Sequence, residues 1–170
     1  MNLPAGGGMR RLKLYLDTTV WNFYFDDRVP VYQEAAVEFF AKARLGLYDL
    51  NASAAVAEEL DAAPEPKRGK LLALFEEISP NLLEADAEVK RLAALYLDRR
   101  ALPARSTVDA LHVAHATFHQ MDVLVSFNFK HLANIGRRDR ITAINLEQGY
   151  SHPLNLLPPM QLPEVENGES

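Results

Sequence analysis

The sequence predicts an α/β domain: a parallel sheet of about four to five strands flanked by helices. Two observations predict it. Short strand-like runs alternate with amphipathic helical stretches along the chain, and the late run Val123-Leu124-Val125 is apolar throughout instead of alternating, the mark of a buried parallel strand. A length of 170 residues suits one domain with a core of its own, and no internal repeat divides it.

Taken in order, residues 1–9, with Gly6-Gly7-Gly8, read as a flexible leader, and Met9 is as good a start as Met1. The domain is expected over 10–150. Arg11 to Leu16 sets Leu12, Leu14 and Leu16 against Lys13 and Tyr15, a strand that ends at Asp17-Thr18-Thr19, a turn or helix-start cluster. Val31 to Arg44 places Ala36, Val37, Phe40 and Ala41 at helical spacing, and Gly46 stops that helix. Leu47 to Leu50 is a second short strand. Ser53 can cap a helix running to about Ala63, where Pro64 and Pro66 end it. Lys67 to Ile78 gathers Leu71, Leu74, Phe75 and Ile78 on one face, and Ala85 to Arg100 does the same with Val89, Leu92, Ala93 and Tyr96. After the Pro103–Ser106 loop, Thr107 to Gln120 is helical, with Val108, Leu111, His115 and Phe118 along a stripe. Val123–Val125 and Ile141–Ile144 are the remaining strand candidates. Residues 151–170 read as a Pro-rich, acidic tail, in which Leu154 to Leu162 packs as an extended arm and disorder is expected beyond Glu164.

Composition excludes several functions. The chain has no cysteine, hence no disulfide framework, zinc ribbon, thiol nucleophile or iron–sulfur site, which fits a cytoplasmic protein. It has no run of about 18 apolar residues, so no membrane span is expected, and Met1 to Gly8 lacks the regions of a signal peptide. A net charge of −5 argues against coating nucleic acid by charge alone. It leaves open an enzyme that grips a phosphodiester through metal ions held by carboxylates.

Sites in open parallel sheets form beyond the carboxyl ends of strands. Asp17 lies there, although it serves equally well as a helix N-cap. Glu59 borders the apolar stripe of Ala55, Val56 and Leu60, while Glu58 lies farther round; solvated helix glutamates are the common case. Asp109 completes Ser106-Thr107-Val108-Asp109, an S-x-x-D capping box, so a capping acid and a ligand look alike at this position. His112 and His115 follow at three and six residues; lacking a further His or Cys nearby, they read better as core histidines than as a zinc site. Ser126 and Asn128 follow the late strand, and Lys130 offers a cation for phosphate. Lys130, Arg137, Arg138 and Arg140 form a basic stretch that suits backbone phosphates or an ordinary solvated loop.

The order of these motifs is more specific than any one of them. Leu16-Asp17-Thr18-Thr19, then Glu59-Leu60, then Asp109-Ala110-Leu111-His112-Val113-Ala114-His115-Ala116, then Val123 through Leu132 resembles the PIN-domain family. Within it, the chain looks most like the VapC-type ribonucleases of bacterial toxin–antitoxin pairs, over roughly Arg10 to Gln148. The resemblance implies a central parallel sheet with helices on both faces and a carboxylate cluster binding Mg²⁺ or Mn²⁺. It also implies RNA hydrolysis by an activated water and restraint by a cognate antitoxin. Asp17, Glu59 and Asp109 fall on the three acidic positions, with Glu58 replacing Glu59 if the helix register is one residue off. Thr18, Thr19 and Ser126 are candidates to steer the acids. Many members carry a fourth acid where this chain has Asn128, which implies one tightly held ion and a second brought in by substrate. Family members often pair as homodimers, to which the helices from Lys67 to Arg100 could contribute.

Overall fold

The computed structural model describes residues 10–128 and 135–165. Its elements are β1 Leu12–Leu16, α1 Thr18–Tyr24, α2 Pro30–Arg44, β2 Tyr48–Ser53, α3 Ala54–Asp61, α4 Lys67–Ile78, β3 Asn81–Leu83, α5 Ala87–Asp98, α6 Thr107–Phe118, β4 Val123–Val125, α7 Ile135–Glu147, β5 Asn155–Leu157 and a one-turn 3-10 helix at Pro159–Gln161. The five strands form one parallel sheet in the order β3-β2-β1-β4-β5. From β1 the chain builds outward through β2 and β3, then returns to lay β4 on the other side of β1. The carboxyl ends of β1 and β4 therefore flank the point where the winding reverses, the place where such sheets leave a crevice.

Both faces of the sheet are covered. Tyr15 packs its ring 5.5 Å from that of His112 and 6.0 Å from that of His115, both on α6. Its neighbours Leu14 and Leu16 point to the opposite face by strand alternation and are equally buried. Fully burying one such leucine contributes roughly 1.5–3 kcal/mol. On α1, Trp21 packs its ring 4.9 Å from Phe40 of α2 and 5.0 Å from Phe75 of α4, which fixes three helices against one another.

Local chemistry explains most element boundaries. Pro30 opens α2, where its missing N–H costs nothing. Gly46, at φ +74°, turns the chain out of α2 into β2. Asp86 caps α5 by accepting from the backbone N–H groups of Glu88 and Val89.

Three expectations are corrected. Ile141–Ile144 is not a strand but the middle of α7, whose buried residues Ile141, Ile144 and Asn145 recur at helical spacing. The fifth strand is Asn155–Leu157, within the segment read as an extended arm; it pairs with β4 and buries Leu156. α1 and β3 have no counterpart among the expected elements, and Ser53 and Ser106 stand at the N-cap positions of α3 and α6 without a side-chain cap bond. The expected leader lies outside the described residues. Among the described residues no helix is long and apolar enough to cross a membrane.

Candidate active site

Asp17 follows β1 directly and is 2% exposed. Its Oδ1 accepts from the Thr19 backbone N–H at 3.0 Å and from the Thr19 hydroxyl at 2.5 Å, so it caps α1; its Oδ2 accepts from the Ser126 hydroxyl, just past β4. The two readings of Asp17, cap and site acid, are thus compatible in one side chain. Thr19 and Ser126 are tied in from the other strand: the Phe127 N–H donates to Thr19 Oγ1 at 2.9 Å and the Asn128 N–H to Ser126 Oγ at 2.9 Å. The Asn128 amide then donates from Nδ2 to Asp109 Oδ2 at 3.3 Å. A continuous path of hydrogen bonds therefore runs from Asp17 through Ser126 and Asn128 to Asp109, across the winding reversal.

Glu59 is held from another side. Its Oε1 accepts from the Thr18 hydroxyl at 2.6 Å and lies 3.1 Å from His112 Nε2. A carboxylate is an acceptor, so Nε2 carries the proton that faces it. His112 Nδ1 lies 2.7 Å from the Tyr15 hydroxyl, which lies 2.7 Å from Ser53 Oγ. In the neutral imidazole, Ser53 donates to Tyr15, Tyr15 to Nδ1, and Nε2–H to Glu59. Glu58 is exposed and stands outside this arrangement.

Electrostatics follow from the geometry. Burial pushes the Asp17 carboxyl above the usual carboxylate range; the charge of Asp109 pushes the same way, while His112 and the hydroxyls of Ser126 and Thr19 pull back. For Glu59 burial also pushes upward, but His112 and Thr18 outweigh it and hold the carboxyl below its ordinary value. Burial keeps the Tyr15 hydroxyl protonated well beyond its ordinary range. A concavity of about 380 Å³ is lined by Glu59, Arg105, Ser106, Val108 and Asp109, so these two acids share an opening to solvent.

The donor set of carboxylate and amide oxygens suits a hard divalent cation. Among the described residues, however, no three His, Asp or Glu side chains are grouped closely enough to hold a metal ion. Lys130 lies outside the described residues. His115 sits in the core, 2% exposed, and its Nδ1 has no hydrogen-bond partner among the described residues. What reading the residues did not find is the Tyr15–His112–Glu59 connection. Tyr15 looked like the solvent side of a strand, and only the burial of both sheet faces brings its hydroxyl to His112.

A solved structure of VapBC2 from Rickettsia felis, bound to a DNA fragment from its promoter, is similar with a TM-score of 0.50 and 19% identity, over 69% of this chain and 88% of that chain. A structure of FitAB bound to an IR36 DNA fragment gives a TM-score of 0.49 and 16% identity, over 90% of this chain and 99% of that chain. At such identities the first likeness speaks for the fold alone. No curated protein is significantly similar in sequence. The PIN domain profile matches residues 14–137, a stretch that holds Asp17, Glu59, Asp109 and Asn128, and the chain belongs to the PIN-domain family.

Proposed function

We propose that this protein is a metal-dependent endoribonuclease that hydrolyses RNA phosphodiester bonds, and that it is the toxin of a toxin–antitoxin pair. The observation that carries the reading is the buried Asp17, joined through Ser126 and Asn128 to Asp109 past the carboxyl ends of β1 and β4, with Glu59 held by Thr18 and sharing a concavity with Asp109. The charge of Asp109 adds to burial in raising the proton affinity of Asp17, and a cation between them would relieve that repulsion. Asp17, Asp109 and Glu59 would hold Mg²⁺ or Mn²⁺. Bound there, the ion would supply Lewis-acid polarisation of the phosphodiester. The protein's share is positional: Thr19 and Ser126 fix the plane of the Asp17 carboxylate, and Thr18 and His112 fix Glu59. Asn128 brings an amide in place of a charge, able to orient a water or a phosphoryl oxygen.

Asn128 and the absence of a three-ligand group among the described residues favour a second reading, a PIN module that binds RNA or a protein partner with little catalysis. One experiment separates the two. Pure protein is incubated with a mixed RNA pool in Mg²⁺ or Mn²⁺ against EDTA, beside Asp109→Asn. Metal-dependent cleavage that the variant loses supports the nuclease; an intact pool with folded protein supports the binding module.

A further inference from the structure

Arg100 and Arg140 are 40 residues apart in sequence, yet the Arg140 guanidinium reaches the Arg100 carbonyl at 3.4 Å. Together with Arg137 they line a cavity of about 450 Å³, where Asp98 brings the one carboxylate among the described residues. Arg100 stands just past the carboxyl end of α5, at φ 57°, and both Arg100 and Arg140 are exposed. Neither has an ion-pair partner among the described residues, whereas Arg28, Arg44, Arg68, Arg91 and Arg99 all pair with carboxylates. Arg11, Arg105 and Arg138 also lack an ion pair among the described residues; what sets Arg100 and Arg140 apart is that two such guanidinium groups share one cavity on a chain of net charge −5.

Its position gives it a use. Pro103 and Ala104 line the same cavity, and Arg105 and Ser106, the next two residues, line the concavity that holds Glu59 and Asp109. An extended run from Pro103 to Ser106 reaches no more than about 11 Å. The arginine cavity therefore adjoins the acidic site, with Arg105 on the ridge between them. Planar guanidinium forks suit phosphate oxygens, and contacts of this kind position a strand without reading its sequence.

We propose that the Arg100–Arg140 cavity binds the phosphate backbone of single-stranded RNA and leads the strand over Arg105 to the acidic site. This rests on the nuclease reading for the identity of the substrate but not for the binding itself. The acids at the cleavage site repel a polyanion, and the arginines beside them supply the attraction that the scissile phosphate lacks before a metal is present.

The test is fluorescence anisotropy of a labelled single-stranded RNA with the full chain in EDTA, across a salt series. The variants are Arg100→Gln, Arg140→Gln and their double, with Arg91→Gln at the other end of α5 as the control. Two lost phosphate contacts should lower the slope of log affinity against log salt by about 1.4, and equally for RNAs of different sequence. At low salt the double variant should bind about tenfold more weakly and the control within twofold of the parent. An unchanged slope and affinity in the double variant would overturn the proposal, as would no RNA binding by the parent. Thermal stabilisation by inorganic phosphate that Arg100→Gln abolishes, with RNA affinity intact, would also overturn it, because the cavity would then be a small-anion site. Arginine-dependent RNA binding without cleavage in Mg²⁺ or Mn²⁺ would leave the track standing and sink the nuclease reading.

Discussion

Replacing Tyr15 by Phe should destabilise the domain by about 2–4 kcal/mol, far more than the loss of one oxygen at a surface would. The hydroxyl is buried and makes two hydrogen bonds of 2.7 Å, to Ser53 Oγ and His112 Nδ1, and both partners are themselves buried. Phenylalanine keeps the ring and its packing between the two histidines, so no cavity forms. Each bond contributes about 1 kcal/mol net, and each buried group that loses its partner costs about 1–3 kcal/mol. In a domain of this size the melting temperature should fall on the order of 10 °C. The assay is urea unfolding followed by circular dichroism, with the midpoint compared at unchanged slope. A second variant sharpens it. Ser53→Ala added to Tyr15→Phe removes one of the two stranded groups, so the double variant should recover about 1 kcal/mol relative to additivity. A cost below about 0.5 kcal/mol for Tyr15→Phe would refute the reasoning, because the hydroxyl could not then be the hub of a buried network.

Other outcomes follow from the same geometry. His112→Ala should lower metal-dependent cleavage about 10–100-fold, with RNA affinity in EDTA unchanged, because Glu59 loses its orienting partner; equal activity would show that Thr18 alone positions it. Burial pushes His115 down from an ordinary 6.5 to about 4, so the unfolded chain binds its proton more tightly. Stability should therefore be fully present above about pH 6.5 and decline toward pH 4, by up to about 3 kcal/mol, a decline that His115→Gln should lack in pH-dependent denaturant titrations. Leu156→Ala, in the strand that borders β4, should cost about 2–4 kcal/mol; a cost under about 1 kcal/mol in urea melts would mean that β5 is a loosely attached edge. Asp17→Asn should abolish metal-dependent cleavage while leaving the thermal transition equal or higher, since an amide oxygen still caps α1 and the buried charge is gone.

The order of α2 to α6 and of the first, second and fourth strands was legible because amphipathic spacing and an all-apolar run are local signals. Ile141–Ile144 misled for the same reason. Two isoleucines around Thr142-Ala143 look like a strand until Asn145 is seen to be buried on the same helical face, bonded to Tyr96 and Thr117. β5 could not be read from its own residues. Asn-Leu-Leu between prolines becomes a strand because β4 offers it an open edge, with Asn155 N–H bonding the Asp122 carbonyl and Ser126 N–H the Leu157 carbonyl. The acids at 17, 59 and 109 could be nominated one by one, but not their connection. The linking atoms belong to Ser126 and Asn128, which the return of β4 alongside β1 brings to Asp17 and Asp109, and to Thr18 and His112, which the packing of α3 against α1 and α6 brings to Glu59.

The double duty of Asp17 bears on how such a protein could decay. A lineage relieved of catalysis is free to lose the charge, yet α1 still needs an oxygen to receive the Thr19 N–H. Drift at this position should stop at Asn, Ser or Thr, since Ala would cost about 1 kcal/mol. Asp109 receives the Asn128 amide, and the α6 N-terminus carries no side-chain cap bond, so helix capping makes no such demand at 109. Such copies would then betray themselves by an uncharged cap-forming residue at 17, so that the helix outlives the carboxylate.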